Sequence, residues 1–494
     1  MDPESSSNIQ DFFKGKTILV TGPTGFLAKV FIEKILRIQP EIKKLYLLLR
    51  ASNSDLAANR LQNEIFEIDL FQVLRGELGE DFDSFVSKKV VAIAGDVGIE
   101  NLGIKSEKLK NEMFEEIDVI VHSAATTNFD ERFDISMGVN TKGALHALNF
   151  AKYCQNLKAF VHISTAYVCG DAKHEDGIVR EKAFQMDKSL KETSKLCIHN
   201  EMNLLEKKRA ELKAMNADEN TVKFALKYYG MERANLHGWP NTYVFTKAMG
   251  EMLIVHHKDN VPLIIIRPTM VTSTFNDPFP GWIEGVRTID SVIYSYGQGK
   301  LKSFVGDPIT ILDVIPADMV INCVIASIFI HSNQPPKNFI YQVSSSIRNP
   351  LTYCETRNFC HRYFTKNPCI NQNGKPIVVS NPFRVNSFAA FNIYMIVIQK
   401  VLNLVSKICP NSFQDIYDKK SRQIRMMHRL GTLYKPYVYF KSVFDDTNTE
   451  ILRMATKGDP KMENVELNFD PTSIDWTDYM MNTHIPGLVK YQMK

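Results

Sequence analysis

The sequence predicts an α/β fold, in which a doubly wound parallel sheet is followed by a smaller helix-rich C-terminal domain. Two observations carry this prediction. From residue 16 onward, short apolar runs alternate with helical patterns, and the runs are continuous rather than alternating, which is typical of strands covered on both faces. After about Pro376 this alternation stops, and the remaining chain is helical in pattern and rich in aromatic residues.

The predicted strands follow one another in the order expected for a parallel sheet with crossover helices. Helices are predicted over 26–38 and from about Asp55, and the apolar run 319–330 predicts a buried helix that covers the sheet. The predicted strands span 16–22, 44–50, 90–96, 117–124, 157–164, 262–268 and 338–345.

The length of 494 residues predicts more than one domain. We expect an N-terminal tail over 1–15, a nucleotide-binding domain over 16–380 and a helix-rich domain over 381–494. A charged helical insertion is predicted at about 187–234. The insertion is either a solvated surface feature or a lid over the substrate.

Composition excludes several classes of protein. A net charge of +4 gives no reason to expect nucleic acid as a partner. The eight cysteines form no C-x-x-C pair and the chain has no H-E-x-x-H motif, so we expect reduced thiols and no metal site. The first residues lack the apolar core of a signal peptide.

A glycine pattern directly follows the first predicted strand and opens a helix. In TGPTGFLA, Gly22 permits a tight turn and Gly25 lets the backbone approach a pyrophosphate at the helix N-terminus. The alternative is a bare turn. We assign Gly22, Thr24, Gly25, Phe26 and Leu27 to a dinucleotide cofactor.

The end of the second strand indicates which dinucleotide binds. Arg50 stands where a site selective for NAD places Asp or Glu, and an arginine there can pair with a 2′-phosphate, so we expect NADPH. The alternative is a solvated arginine. Asp96 and Val97 follow the third strand, where we expect Asp96 to bind the adenine amino group, although a simple turn aspartate is the competing interpretation.

Candidate catalytic residues lie after the fifth strand. Tyr243 and Lys247 are i and i+4 on one helix, so they share a face, and an ammonium beside the phenol is expected to lower the pKa of Tyr243. Thr165, or less favourably Ser164, is placed to bind the oxygen of a substrate. Asn140, in VNTKGA, starts the helix before this strand.

These motifs resemble those of the extended short-chain dehydrogenase/reductases, and longer strings resemble the alcohol-forming fatty acyl-CoA reductases of plants. The resemblance runs over nearly the whole chain. The superfamily is indicated by TGPTGFLA (21–28), GDV (95–97), HSAAT (122–126), VNTKG (139–143), STAYVCG (164–170) and YVFTK (243–247), and the narrower family by KLYLLLRA (44–51), FDERFD (129–134), GWPNTYVFTKAMGEML (238–253), RPTMVTSTFNDPFPGW (267–282) and KPYVYFKSVFDDTNTE (435–450).

The resemblance implies a reaction and a set of roles. A long-chain acyl-CoA and two NADPH would give a primary alcohol and CoA through an aldehyde, in the metabolism of wax, cuticle or suberin lipids. Tyr243 would donate the proton, Lys247 would hold the nicotinamide ribose and Thr165 would orient the carbonyl. Ala124, Asn140 and Pro268 would join the cofactor site, and no cysteine nucleophile such as Cys169 would be needed.

Other functions stay open from sequence alone. An aldehyde-forming acyl reductase or a nucleotide-sugar epimerase would carry the same short motifs, and a non-enzymatic NADPH-binding or scaffold protein is a further alternative. The preferred acyl chain and the oligomeric state cannot be read from these patterns.

An apolar segment in the C-terminal domain predicts contact with a membrane surface. Residues 385–399 carry no formal charge, and a helix there places Asn392, Gln399, Asn403 and Ser406 on one narrow polar stripe, with Phe391 and Met395 expected to face lipid. Residues 419–435 then supply six Lys or Arg and no acid. With the resemblance, this predicts peripheral attachment to the cytosolic face of the endoplasmic reticulum. The alternative is a helix of the domain core.

Overall fold

In the computed structural model, a seven-stranded parallel sheet forms the centre of the protein. The structure describes residues 9–170, 176–301, 303–332, 334, 338–381, 383–385, 387–408, 410–457 and 467–493. The strands are β1 Thr17–Thr21, β2 Lys44–Arg50, β3 Val90–Gly95, β4 Val119–His122, β5 Ala159–Ile163, β6 Leu263–Pro268 and β7 Asn338–Val343.

The strand order confirms the doubly wound arrangement. Across the sheet the order is β7-β6-β5-β4-β1-β2-β3, so the direction of winding reverses between β1 and β4. In the register, Val20 of β1 stands opposite Leu47 of β2 and Val121 of β4. A reversal of this kind opens a crevice at the carboxyl ends of the strands.

Helices cover both faces of the sheet, which explains why the strands are apolar without alternation. Ile18 and Val20 of β1 pack into one hydrophobic core, whereas Leu19 packs into a second core on the opposite face. The helices are α1 Ile9–Phe13, α2 Phe26–Ile38, α3 Ser54–Leu61, α4 Gln72–Leu78, α5 Phe82–Lys89, α6 Glu107–Glu116, α7 Phe133–Ser136, α8 Gly143–Ala151, α9 Ile198–Ala214, α10 Glu219–His237, α11 Thr242–His257, α12 Thr288–Gly297, α13 Ala317–His331, α14 Tyr353–Lys366, α15 Phe388–Ile408, α16 Pro410–Val438, α17 Thr447–Lys457, α18 Trp476–Asp478 and α19 Ile485–Gln492.

Two regions differ in detail from the sequence interpretation. Residues 9–13 of the predicted tail form α1, whose Phe12 ring lies 5.8 Å from that of Phe329, while residues 1–8 lie outside the described residues. The insertion consists of α9 and α10, and its buried Glu201 pairs with Arg233 and His237.

The C-terminal part is helix-rich, as predicted, and is interwoven with the sheet domain. Val443–Phe444 pairs with Ile178–Val179, and Phe383–Val385 pairs with Ser303–Val305. The hydroxyl groups of Tyr479 and Thr272 lie 2.8 Å apart, which joins the last helices to the segment after β6. The exact boundary at 380 stays a prediction.

Candidate active site

A cavity of about 1090 Å³ lies at the carboxyl ends of the strands, where the winding of the sheet reverses. Residues at the carboxyl ends of β1 to β6, and in the loops that follow these strands, line part of the cavity. Residues of α16 line another part. The cavity brings together almost all of the site residues predicted from sequence: Gly22, Thr24, Gly25, Phe26, Leu27, Arg50, Asp96, Val97, Ala124, Thr165, Tyr243, Lys247 and Pro268.

The loop between β1 and α2 has the backbone that a pyrophosphate site requires. Gly22 has a φ of +65°, and a Cβ there would lie 2.6 Å from the Cα of Ala124, so only glycine fits. Gly25 caps α2 without a side chain over the helix N-terminus. The residues therefore fit a dinucleotide, whose phosphates would lie against free N–H groups.

Two arginines, rather than the single one predicted, stand at the end of β2. Arg50 is exposed in the cavity lining, and Arg60 of α3 joins it there. Arg60 donates to the carbonyl oxygen of Arg50 at 2.9 Å and pairs with Glu64. Arg60 was missed because ten residues separate it from the strand end, and only the return of α3 along the sheet brings its last turn beside Arg50.

Asn140 does not line the cavity, although we assigned it to the cofactor. Its side-chain oxygen accepts from the N–H of Thr126 at 2.9 Å, and its amide donates to the Thr126 carbonyl and to Thr246 Oγ1 at 3.1 and 3.0 Å. Asn140 therefore fastens the loop after β4, whose residues do line the cavity, to α11.

Tyr243 and Thr165 both line the cavity. The Thr165 hydroxyl also donates to the carbonyl oxygen of Pro268 at 3.5 Å, and it lies close enough to the Tyr243 hydroxyl to act on its pKa. Burial raises the pKa of Tyr243 to about 12, while the Arg287 cation and the Thr165 hydroxyl act in the opposite direction. The expected lowering of this pKa by Lys247 is therefore wrong, because desolvation outweighs the opposing influences and the Lys247 ammonium is bound to the Ile163 carbonyl oxygen instead.

Lys247 is held by the end of β5. Its ammonium donates to the carbonyl oxygen of Ile163 at 2.6 Å and lies 3.3 Å from Nε2 of His162. Burial lowers the pKa of Lys247 to about 8, against the opposing charge of Glu251. Burial also lowers the pKa of His122, which stacks on His162, to about 3, so that ring is neutral.

Ser164, the alternative to Thr165, is engaged elsewhere. Its hydroxyl donates to Glu251 at 2.8 Å, and Glu251 also forms a buried ion pair with Arg267. Thr165 is thus the hydroxyl that remains beside Tyr243.

An aromatic cluster, formed by Phe129 and by residues of the C-terminal part, lies against Tyr243. Phe129 stacks on Tyr243 at 5.9 Å and on Tyr437 at 5.2 Å, and the amide of Asn241 donates to the Tyr437 hydroxyl at 3.0 Å. Our site prediction omitted these residues, although Phe129 and Tyr437 belong to the strings FDERFD and KPYVYF.

The described residues give no support to a metal site, a cysteine nucleophile or a lid formed by the insertion at this cavity. The described residues hold no cluster of His, Cys, Asp and Glu suited to a metal, and the seven cysteines among them form no disulfide. No cysteine lines the cavity within the described ranges. No described residue of 187–234 lines it either, so the insertion does not act as its lid here.

Comparison with known proteins gives the chain its family. A family model described as male sterility protein matches residues 20–324, and a second model with that description matches residues 394–494. The fold resembles the terminal reductase domain of the myxalamid pathway, at a TM-score of 0.59 and 15% identity over 97% of this chain and 91% of that one. The reductase domain of a non-ribosomal peptide synthetase from Mycobacterium tuberculosis matches at a TM-score of 0.57 and 17% identity, covering 99% and 93%.

Sequence relatives extend over the full length. The chain is 48% identical to fatty acyl-CoA reductase 1 of Arabidopsis thaliana over 493 residues, which cover 99% of each protein. It is equally similar, at 48% over 493 residues and 99% of each, to the alcohol-forming fatty acyl-CoA reductase of Simmondsia chinensis. These matches confirm the resemblance that the long strings indicated, and the chain belongs to the family of fatty acyl-CoA reductases, enzymes that carry a nicotinamide-binding domain.

Proposed function

We propose that this enzyme reduces long-chain fatty acyl-CoA to a primary alcohol, using two NADPH and releasing CoA by way of an aldehyde. The observation that carries the proposal is that Tyr243 and Thr165 line the same cavity as the cofactor loop and an apolar face of α16. The products would feed wax, cuticle or suberin lipids.

The residues around the reacting carbon have separate tasks. When bound, the nicotinamide supplies a hydride in each reduction. Thr165 and Tyr243 hydrogen-bond the carbonyl oxygen, and Tyr243 gives its proton to that oxygen as the carbon is reduced. Collapse of the hemithioacetal breaks the C–S bond: its hydroxyl proton returns to the Tyr243 oxygen, and the CoA thiolate leaves and takes a proton from solvent. The aldehyde then binds the same pair of hydroxyl groups, and Tyr243 regains its proton from solvent after the second reduction. Lys247 holds the ribose and supports the tyrosinate.

Product identification distinguishes this reaction from its alternatives. Purified protein is given palmitoyl-CoA and NADPH in detergent, and lipids are analysed by gas chromatography. We expect hexadecanol. Hexadecanal as the only product would indicate an aldehyde-forming reductase, and no conversion with retained NADPH binding would indicate a non-catalytic protein.

Arg50→Ala is expected to weaken NADPH binding about ten- to a hundredfold and to spare NADH, because it removes a charge-assisted contact with the 2′-phosphate. Fluorescence titration with both cofactors measures this. Arg60→Ala is expected to have a smaller effect, since Glu64 already pairs with that guanidinium. Arg209→Ala, an exposed arginine of the insertion, is the matched control. Equal loss for both cofactors would show that Arg50 does not bind the 2′-phosphate.

Cofactor affinity is expected to fall as pH rises through about 8. The pKa of Lys247 is lowered to about 8, so its ammonium is present below that pH and lost above it, while Tyr243, with a pKa of about 12, keeps its proton throughout. NADPH titrations across this range measure the effect. Lys247→Ala should bind weakly and without this pH dependence. A wild-type affinity that is flat through pH 8 would contradict the assignment.

We also propose peripheral attachment to the cytosolic face of the endoplasmic reticulum, through α15. The described residues contain one helix, Phe388–Ile408, that is long and apolar enough to cross a membrane by length and composition. Phe391 and Met395, the predicted lipid-facing residues, are instead buried, and Phe391 packs against Gly431 of α16. Six apolar side chains on the outer side are each more than half exposed: Ile393, Ile396, Val397, Val401, Leu404 and Ile408. This outer face and the exposed basic side chains of α16 support contact with anionic lipid.

Ile396→Asp with Val397→Asp is expected to release the protein from liposomes of phosphatidylcholine and phosphatidylserine, while palmitoyl-CoA reduction in detergent survives. Flotation measures binding, and salt should weaken the wild-type interaction without abolishing it. Phe391→Asp is the contrasting variant, because it should destabilise the fold instead. Wild-type protein that stays with the soluble fraction would contradict the membrane proposal.

A further inference from the structure

One face of α16 forms the wall of the cavity opposite the sheet. Its members recur at helical spacing, so they lie in one row. The row consists of Met426, Leu430, Leu433, Tyr434 and Tyr437. The other side of the helix packs on α15, where a Cβ at Gly431 would lie 2.6 Å from the Phe391 ring. The row is therefore exposed to the cavity rather than to the helix hairpin.

The character of this row changes with distance from the catalytic tyrosine. Tyr434 and Tyr437 are in contact with Phe129, which stacks on Tyr243. Leu433, Leu430 and Met426 follow, and they are aliphatic and only partly covered by protein. At 1.5 Å per residue, the row from position 437 to 426 is about 16 Å long.

The cavity has further apolar lining besides the row. Ile135, Met270, Val271 and Val286 contribute it, beside polar residues such as Arg287 and Ser291. Polar contacts are made by Arg429, which pairs with Asp130 at 2.9 Å, and by the hydroxyl groups of Tyr434 and Tyr437, which bond with Ser291 and Asn241. Leu433, Leu430 and Met426 are therefore the apolar part of the row. Partly exposed apolar side chains that line one cavity favour an extended hydrocarbon.

We propose that the acyl chain lies along this face of α16 with its carbonyl at Tyr243, and that Leu430 and Met426 set the length of chain that is reduced. The inference rests on the proposed function, because it takes acyl-CoA as the substrate. Leu430 and Met426 are specificity-determining residues, since they lie about two and about three helical turns from the reacting end of the row at Tyr437.

The test is a ladder of saturated acyl-CoAs from decanoyl to tetracosanoyl, assayed with NADPH in detergent. Leu430→Trp and Met426→Trp shorten the space, so kcat/KM for the longest substrates should fall about tenfold or more relative to decanoyl-CoA. Leu430→Ala and Met426→Ala should move the optimum towards longer chains. Thr432→Trp, on the exposed side of the same helix, should leave the profile unchanged.

The possible outcomes of this test distinguish failure of the inference from failure of the proposed function. An unchanged profile in both Trp and both Ala variants would overturn the inference, and so would an equal loss for every chain length, which would place the pantetheine arm along this row. The Ala variants keep the test valid if a Trp variant fails to fold, as thermal unfolding would reveal. Wild-type protein that reduces no member of the ladder would instead overturn the proposed function.

Discussion

Tyr243→Phe is expected to lower the rate of alcohol formation by about a hundred- to ten-thousandfold, the usual contribution of a general acid, while NADPH binds as before. The hydroxyl lies in the cavity beside Thr165 and is the group placed to protonate the developing oxyanion. Because both reductions use this proton, decanal reduction should fall together with palmitoyl-CoA reduction. Single-turnover rates for the two substrates measure the effect.

Tyr296→Phe is the matched control for this variant. The Tyr296 hydroxyl donates to the carbonyl oxygen of Ser380 at 2.9 Å and does not line the cavity, so its loss should leave turnover near that of the wild type. Near-normal turnover in Tyr243→Phe would remove this tyrosine from the mechanism. Loss with the acyl-CoA alone, and not with the aldehyde, would restrict it to the first reduction.

Glu251→Ala is expected to lower the free energy of unfolding by about 3–5 kcal/mol, because it leaves the guanidinium of Arg267 buried without its partner. Glu251 is fully buried, accepts from Ser164 at 2.8 Å and pairs with Arg267. Its charge also opposes the burial that lowers the pKa of Lys247, so NADPH affinity at neutral pH should fall too. Chemical denaturation and cofactor titration measure the two effects.

Two further variants test whether the unpaired charge of Arg267 causes the loss of stability in Glu251→Ala. The double variant Glu251→Ala with Arg267→Met should recover much of the stability, because no unpaired charge then remains in the core. Glu41→Ala, which breaks the exposed pair with Lys14, should leave the denaturation midpoint unchanged. A stable Glu251→Ala protein would contradict the assigned importance of this buried pair.

The sheet could be predicted from sequence because local patterns determine it. Continuous apolar runs such as 44–50 mark strands buried on both faces, and the observed β2 has the same bounds. The cofactor loop could also be predicted from the sequence. Gly22 and Gly25 lie within a few residues of β1, and the backbone geometry there requires glycine. Such features depend on neighbours in sequence.

Features that depend on packing between distant parts of the chain could not be predicted from the sequence. The outward-facing side of α15 was assigned wrongly, because the helix is apolar on every side except one narrow polar stripe, and only its contact with α16 shows that Phe391 is inside. Asn140 was assigned to the cofactor, but its amide is taken up by Thr126 and Thr246. The pKa of Tyr243 depends on how deeply the cavity walls enclose it, which no spacing of residues reveals.

The most direct test of the account is the ratio of NADPH oxidised to CoA thiol released. Purified wild-type protein is given limiting palmitoyl-CoA with excess NADPH, and absorbance of the cofactor and thiol release are followed in the same reaction. We expect two NADPH oxidised for each CoA released, with hexadecanol as the product, because the aldehyde is reduced at the same Tyr243 and Thr165. One NADPH per CoA, with hexadecanal free in solution, would contradict the account.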